Sequence, residues 1–364
     1  MKIVFSFLAL CLLVACVSPG NESDAQEEYY TVDDFDKVEK ADVHVHIRTE
    51  RNAFVEQARK DNFKLLNIVV DHSAGFEDVK QQFHWVNYQA RTHPEDIASL
   101  TAFSVKEWDD PNWARQSMEW LDSCFEAGAI GIKVWKNVGM VQRDSAGELV
   151  MIDHPKFDTI FQILTERKIP VMGHLGEPKN CWLSVEEMTT NNDRNYFTNN
   201  PHYHMFQQPE MPSYEDQIAA RDRMLEKNPQ MIFVGAHMGS LEWSVDELAK
   251  RLDQFPNMAV DLAARMGQVF YQTREDRGKV RDFFIKYQDR LLYATDIGDN
   301  GEGDAAALQE NLHETWLRDW RYFTTADTLT SDLIEGEFQG LQLPKEVVDK
   351  IYLNNARQWF GIFQ

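Results

Sequence analysis

The chain has 364 residues, with 59 Asp and Glu against 37 Lys and Arg and a formal net charge of −22. That balance argues against nucleic acid or an anionic lipid surface as a partner, since both reward basic patches. The length suffices for one large α/β domain with a sizeable core.

At the N-terminus, Lys2 precedes an apolar run from Ile3 to Ala15. This is shorter than the roughly 20 residues that span a bilayer and reads as a signal peptide, residues 1–15. The run ends in Leu13-Val14-Ala15-Cys16, which resembles the lipobox of bacterial lipoproteins. The resemblance implies cleavage before Cys16, lipidation of its thiol and export, with the membrane reached only through that anchor. An ordinary secretory signal with an incidental Cys16 is the alternative. Val17, in place of an acidic retention residue, points to the outer membrane of a Gram-negative bacterium. Residues 16–37 are polar and acidic without apolar period, and are expected to form a tether. The folded domain is then expected over 38–364.

Within that domain, short β-branched apolar runs alternate with segments of helical period. The expected strands are Val38–Ile47, Phe63–Asp71, Ile97–Val105, Ala129–Lys136, Ile169–Leu175, Met231–Met238, Met258–Ala264 and Leu291–Ile297. Expected helices include Asn112–Ala127, Pro155–Arg167, Tyr214–Lys227, Ser240–Gln254 and a closing helical stretch, Pro344–Phe363. Near-continuous apolar strands suit a parallel sheet buried on both faces, and eight β/α repeats predict a distorted TIM (β/α)8 barrel. A doubly wound open sheet is the alternative, but no G-x-G-x-x-G follows any strand. Residues 176–214, rich in Asn, Pro and aromatics, form a long connection after the fifth strand and are expected to wall or cover a pocket. A second elaboration runs from Asp299 to Leu343. Cys124 and Cys181 fall at opposite ends of this barrel and read as free thiols.

Strand ends carry the polar residues. His44 and His46 close the first strand, and Lys133 lies near the end of the fourth. His174 ends the fifth, His237 the sixth and Asp296 the eighth. In a TIM barrel all converge at the C-terminal mouth. One strand ending in histidine is unremarkable, but several ligand-type side chains on one rim need partners to be buried there.

In Ala41-Asp42-Val43-His44-Val45-His46, Gly131-Ile132-Lys133-Val134, Met172-Gly173-His174, Gly235-Ala236-His237 and Ala294-Thr295-Asp296, the chain resembles the amidohydrolase superfamily, in its amidohydrolase-2, decarboxylase-like branch. Tyr352-Leu353-Asn354-Asn355-Ala356-Arg357 looks like that branch's closing helix. The resemblance implies a divalent metal that activates water, held by His44, His46, His174 and Asp296. Zinc is the first expectation from these ligands, though manganese, iron or nickel could occupy them. It also implies that His237 sits beside the water and polarises the attacked carbonyl or passes a proton, and that Asp296 accepts the water's proton. In binuclear members a carbamylated lysine from the fourth strand bridges two metals. Lys133 and His237 would then serve a second metal, whereas one metal is the expectation for this branch.

Other residues offer weaker signals. Trp135 and Asn137 are placed to line the pocket beside Lys133, and Arg265 to clamp an anionic substrate or to pair with Asp261. Glu177 stands just above His174, and His72 ends the second strand. His202 and His204 are expected on the surface or lid, and His84, His93, His154 and His313 in structural roles. The reading is a metal-dependent hydrolase cleaving an amide, ester or lactone bond in a small polar or acidic molecule. A non-oxidative decarboxylase or other C–C lyase is the second reading, weakened by export, and a non-catalytic ligand-binding lipoprotein the third. Oligomeric state is left open, a homodimer among the options.

Overall fold

The structure, a computed structural model, describes residues 28–364. The signal run, Cys16 and most of the expected tether lie outside the described residues.

Eight parallel strands neighbour one another in chain order: β1 (Lys40–Ile47), β2 (Phe63–Ile68), β3 (Ile97–Thr101), β4 (Gly131–Val134), β5 (Val171–Gly173), β6 (Phe233–Gly235), β7 (Met258–Asp261) and β8 (Leu291–Leu292). A further short strand, β9 (Gly298–Asp299), pairs with the other edge of β1 at His46 and Ile47. Between β8 and β9 the chain is irregular yet bonded on both sides. Leu262 and Ala264 donate their amides to the Leu292 and Thr295 carbonyls, while Val43 and His46 donate to those of Tyr293 and Ile297. This segment brings the two edges of the sheet together, and the fold is the distorted TIM barrel predicted from the strand pattern.

The regular strands are shorter than expected, the eighth most of all. Asp296 takes a left-handed φ of 70°, which no ladder accommodates. The helix after β6 starts at Val245 instead of Ser240, because His237, Met238, Gly239 and Ser240 all have positive φ, between 57° and 60°. The expected helix Pro155–Arg167 divides into a 3-10 turn, Pro155–Phe157, and a helix, Asp158–Glu166. Tyr214–Lys227 is helical over its expected span. The closing segment is helical with a π-turn at Lys350–Asn354.

Packing explains how the mouth is built. Leu66, Ile68, Leu100, Met172, Val234, Ala259 and Leu292 fill the barrel interior, and Leu353, Ala356, Trp359 and Phe360 from the C-terminal helix join the same cluster. On β1 the inward phase changes partway. Ala41 and Val43 belong to the interior cluster, but Val45 and Ile47 pack outward with the helices. The pairing of β1 with β2 slips between Asp42 and Val45, a β-bulge. One extra residue reverses which side chains face inward, so His44 and His46 turn into the barrel.

The connection over 176–214 folds as short 3-10 turns and a helix, Asn191–Asn199, around its own small core of Cys181, Met188, Phe197 and Met205. The later elaboration is a helix, Ala305–Thr324, followed by an antiparallel hairpin of β10 (Thr328–Thr330) and β11 (Glu337–Gln339). Cys124 and Cys181 are both buried and free.

Candidate metal centre

Three donor atoms converge at the mouth. His46 Nε2 lies 3.0 Å and His44 Nε2 3.4 Å from Asp296 Oδ1. Among the described residues these three form the only group whose ligand atoms all lie within 4.8 Å of one another. Their spacing fits a shared cation, since ligands about 2.1 Å from a tetrahedral ion stand about 3.4 Å apart.

Each of these side chains is oriented from behind. His44 Nδ1 meets Asp261 Oδ2 at 2.8 Å, and His46 Nδ1 meets the Ile68 carbonyl at 2.9 Å. Both partners only accept, so each Nδ1 carries the hydrogen and each Nε2 presents its lone pair to the site. Asp42, fully buried, accepts from Thr295 Oγ1 at 2.6 Å, the Thr295 amide at 3.1 Å and Trp316 Nε1 at 3.1 Å. It thereby fixes the residue before Asp296, whose own amide donates to the His44 carbonyl at 2.9 Å. Burial alone would raise the Asp296 carboxyl, but His44, His46 and Lys133 outweigh it and hold it below the ordinary carboxylate range. Burial depresses His46 to about 4, so its ring is neutral and free to ligate at pH 7.

Across the mouth stand Lys133, His174 and His237. The His174 and His237 rings are 4.1 Å apart, and His237 is 5.0 Å from His44. His174 Nε2 is buried without a hydrogen-bond partner, and Glu177 Oε2 stands 3.5 Å from it. Burial depresses His174 to about 4 as well. His174 thus borders the three-donor group without belonging to it, and an orphaned ring nitrogen there suits a further ligand. His237 donates Nδ1–H to the Ala263 carbonyl at 2.8 Å, and its amide donates to Asp261 Oδ1 at 2.6 Å. The left-handed turn at 237–240 costs about 1 kcal/mol or more for each non-glycine residue, strain of the kind that accumulates where a side chain must be aimed. Lys133 Nζ lies 3.1 Å from His44 Nε2, and burial pulls its pKa down to about 8.

A cavity of about 370 Å³ opens over these groups, walled by Trp135, Tyr196, Asn192 and Arg265. Arg265 does not pair with Asp261, whose oxygens are taken by His44, His237 and Ala263. Asn137 does not line the cavity either; it is buried and donates to Asp71 at 2.9 Å and Ser73 at 3.0 Å. His72 stands edge-on to Trp135 at 5.2 Å and does not line the cavity. His204 is buried in the 176–214 connection, where it bonds to the Leu183 carbonyl, and His202 is exposed.

Three residues escaped the sequence reading. Asp42 and Asp261 carry the ligand scaffold, and Lys136 forms a buried ion pair with Glu177 and donates to Tyr196 Oη at 3.1 Å. Burial alone would raise Glu177, but Lys136 outweighs it and brings the carboxyl to about 2. The signal available was position. Asp42 lies two residues before His44 and Lys136 ends the expected fourth strand, while Asp261 lies inside the expected seventh strand and ends it only in the structure.

An uncharacterized TIM-barrel protein from Bordetella bronchiseptica matches with a TM-score of 0.50 and 12% identity, covering 89% of this chain and 99% of that one. 2,6-Dihydroxybenzoate decarboxylase from Rhizobium matches with a TM-score of 0.51 and 11% identity, covering 89% and 100%. A 2,6-dihydroxybenzoate decarboxylase complexed with 2,6-dihydroxybenzoate gives 0.53 and 11% over the same shares. At such identities the likeness is one of fold. No curated protein matches the sequence. The amidohydrolase family model matches residues 41–362, nearly the whole described chain, and the protein therefore belongs to the amidohydrolase family.

Proposed function

We infer that this protein is a hydrolase that uses one divalent cation, zinc in the first instance, to cleave an amide, ester or lactone bond in a small polar or acidic molecule. The observation carrying this is the convergence of His44 Nε2, His46 Nε2 and Asp296 Oδ1 beside a cavity, with the unpartnered His174 Nε2 at its border. When bound there, the cation acidifies water and polarises a carbonyl. The protein supplies the rest. Asp296 turns Oδ1 to both imidazoles, which leaves Oδ2 to take the proton of the attacking water and deliver it to the leaving group. His237 has its hydrogen on Nδ1, engaged by Ala263, so Nε2 can only accept. Burial keeps that ring neutral, with its pKa well below the usual value. It orients water by accepting its second hydrogen; the expectation that it polarises the carbonyl as a donor does not suit this tautomer. Metal-loaded protein should open members of a lactone, ester and amide panel, and Asp296→Asn should nearly abolish turnover. Retained turnover in that variant rules the mechanism out.

Decarboxylation of a carboxylic acid is the second reading, favoured by the activity named for the Rhizobium neighbour. Carbon dioxide release without acyl or ring opening would select it. Export and a lipid anchor at Cys16 belong to the same proposal. Fatty-acid labelling that survives Cys16→Ala would remove the anchor.

A further inference from the structure

The structure assigns Arg265 to binding a carboxylate of the substrate other than the reacting group, on the His237 side of the cavity. This deepens the hydrolase reading and rests on it for the word substrate. Arg265 directly precedes the helix Met266–Lys286, lines the cavity and is only 6% exposed. Its Nη1 donates to the carbonyl of its own neighbour, Ala264, at 3.0 Å. Its Nε is buried with no partner, and no ion pair within 4.0 Å reaches it among the described residues. Of the other buried cations, Lys136 meets Glu177 and Arg221 meets Asp222 at 2.6 Å, whereas Lys40 is met by the Val38 carbonyl and Lys133 by His44 Nε2.

None of the neighbouring acids forms an ion pair with Arg265. Asp261 serves His44 and His237. Asp193, on the same wall, accepts from Gln268 at 2.6 Å and Asn180 at 2.7 Å. Glu242 accepts from the Lys179 amide at 2.8 Å; burial raises its pKa to about 7, and Arg265 opposes that rise through space without forming an ion pair with it. In a chain of net charge −22, Arg265 is thus a buried guanidinium facing the cavity with no acid within 4.0 Å among the described residues. Burying such a charge unpaired is costly, and an anionic ligand removes the cost. The opening amides of the helix that starts beside it add partial positive charge at the same place. The planar fork of Arg suits a carboxylate held by two parallel hydrogen bonds. Trp135 and Tyr196 on the cavity wall favour a flat or ring-shaped body behind that carboxylate.

Benzoate, with benzamide as its uncharged match, tests the assignment by calorimetric titration of the full chain, metal-loaded and metal-stripped. Benzoate should bind at least about tenfold tighter than benzamide in both forms, and Arg265→Gln should erase that preference without changing metal stoichiometry. Arg265→Lys, which keeps the charge and guards against a folding defect, should retain part of it. Equal binding of the two probes by wild type, an unchanged preference in Arg265→Gln, or a preference that vanishes with the metal overturns the assignment. Charge-selective binding without turnover of any lactone, ester or amide leaves the carboxylate site standing and removes the hydrolase reading instead.

Discussion

Asp261 meets His44 Nδ1 at 2.8 Å with one oxygen and the His237 amide at 2.6 Å with the other, so one carboxylate sets the tautomer of a candidate metal ligand and the start of the strained turn. In Asp261→Asn the amide group can donate to Nδ1. That would move the ring hydrogen to Nε2 and remove the lone pair the site needs. Metal affinity is expected to fall roughly 10- to 100-fold, read by competition with a calibrated chelator. Unaltered affinity would show that Asp261 does not set the tautomer.

The two histidines across the mouth separate one metal from two. With a single cation, His174→Ala should lower metal retention, whereas His237→Ala should keep a stoichiometry near one and lose turnover. Lys133→Met should likewise leave that stoichiometry in place. Elemental analysis near two in wild type, falling in both His237→Ala and Lys133→Met, would make Lys133 a bridging ligand and refute the single centre.

The strand pattern carried the barrel because β2 to β7 repeat one buried, β-branched run, and each polar strand end had to face the same rim. Its irregularities were not visible. Nothing in Asp42-Val43-His44-Val45 announces a bulge, since Ala41, Val43, Val45 and Ile47 alternate as though on one face. The bulge is imposed by pairing with β2 and β9. Long-range pairing also hid Asp261, whose nearest cation in sequence is Arg265 but whose partner in space is His44, 217 residues away. Lys136 and Glu177 are 41 residues apart and come together only when β4 and β5 lie side by side.

That Lys136–Glu177 pair is almost wholly buried, with side-chain exposures of 5% and 3%. Lys136→Met would strand an ionised carboxylate beside His174 and remove the donor to Tyr196 Oη. A loss of about 3 kcal/mol or more is expected from denaturant unfolding. The double variant Lys136→Met with Glu177→Gln removes both charges and should recover much of it. A double variant no more stable than the single one would mean that the charge pair is not the cause.

Glu242 gives the opposite sign of pH dependence from a paired carboxylate. Burial raises its pKa from 4.5 to about 7, and its Oε2 has no partner. Between those values the folded chain keeps a proton that the unfolded chain has released, so stability is fullest below about 4.5, falls as pH rises and levels off above about 7. Gln at this position can still accept from the Lys179 amide through its oxygen, and it carries no titrating charge. Glu242→Gln should therefore match wild type near pH 4.5 and exceed it near pH 8 by at most about 3 kcal/mol. Thermal unfolding across that range measures the difference. A gap that does not change with pH would place the effect in packing and leave Glu242 ionised throughout.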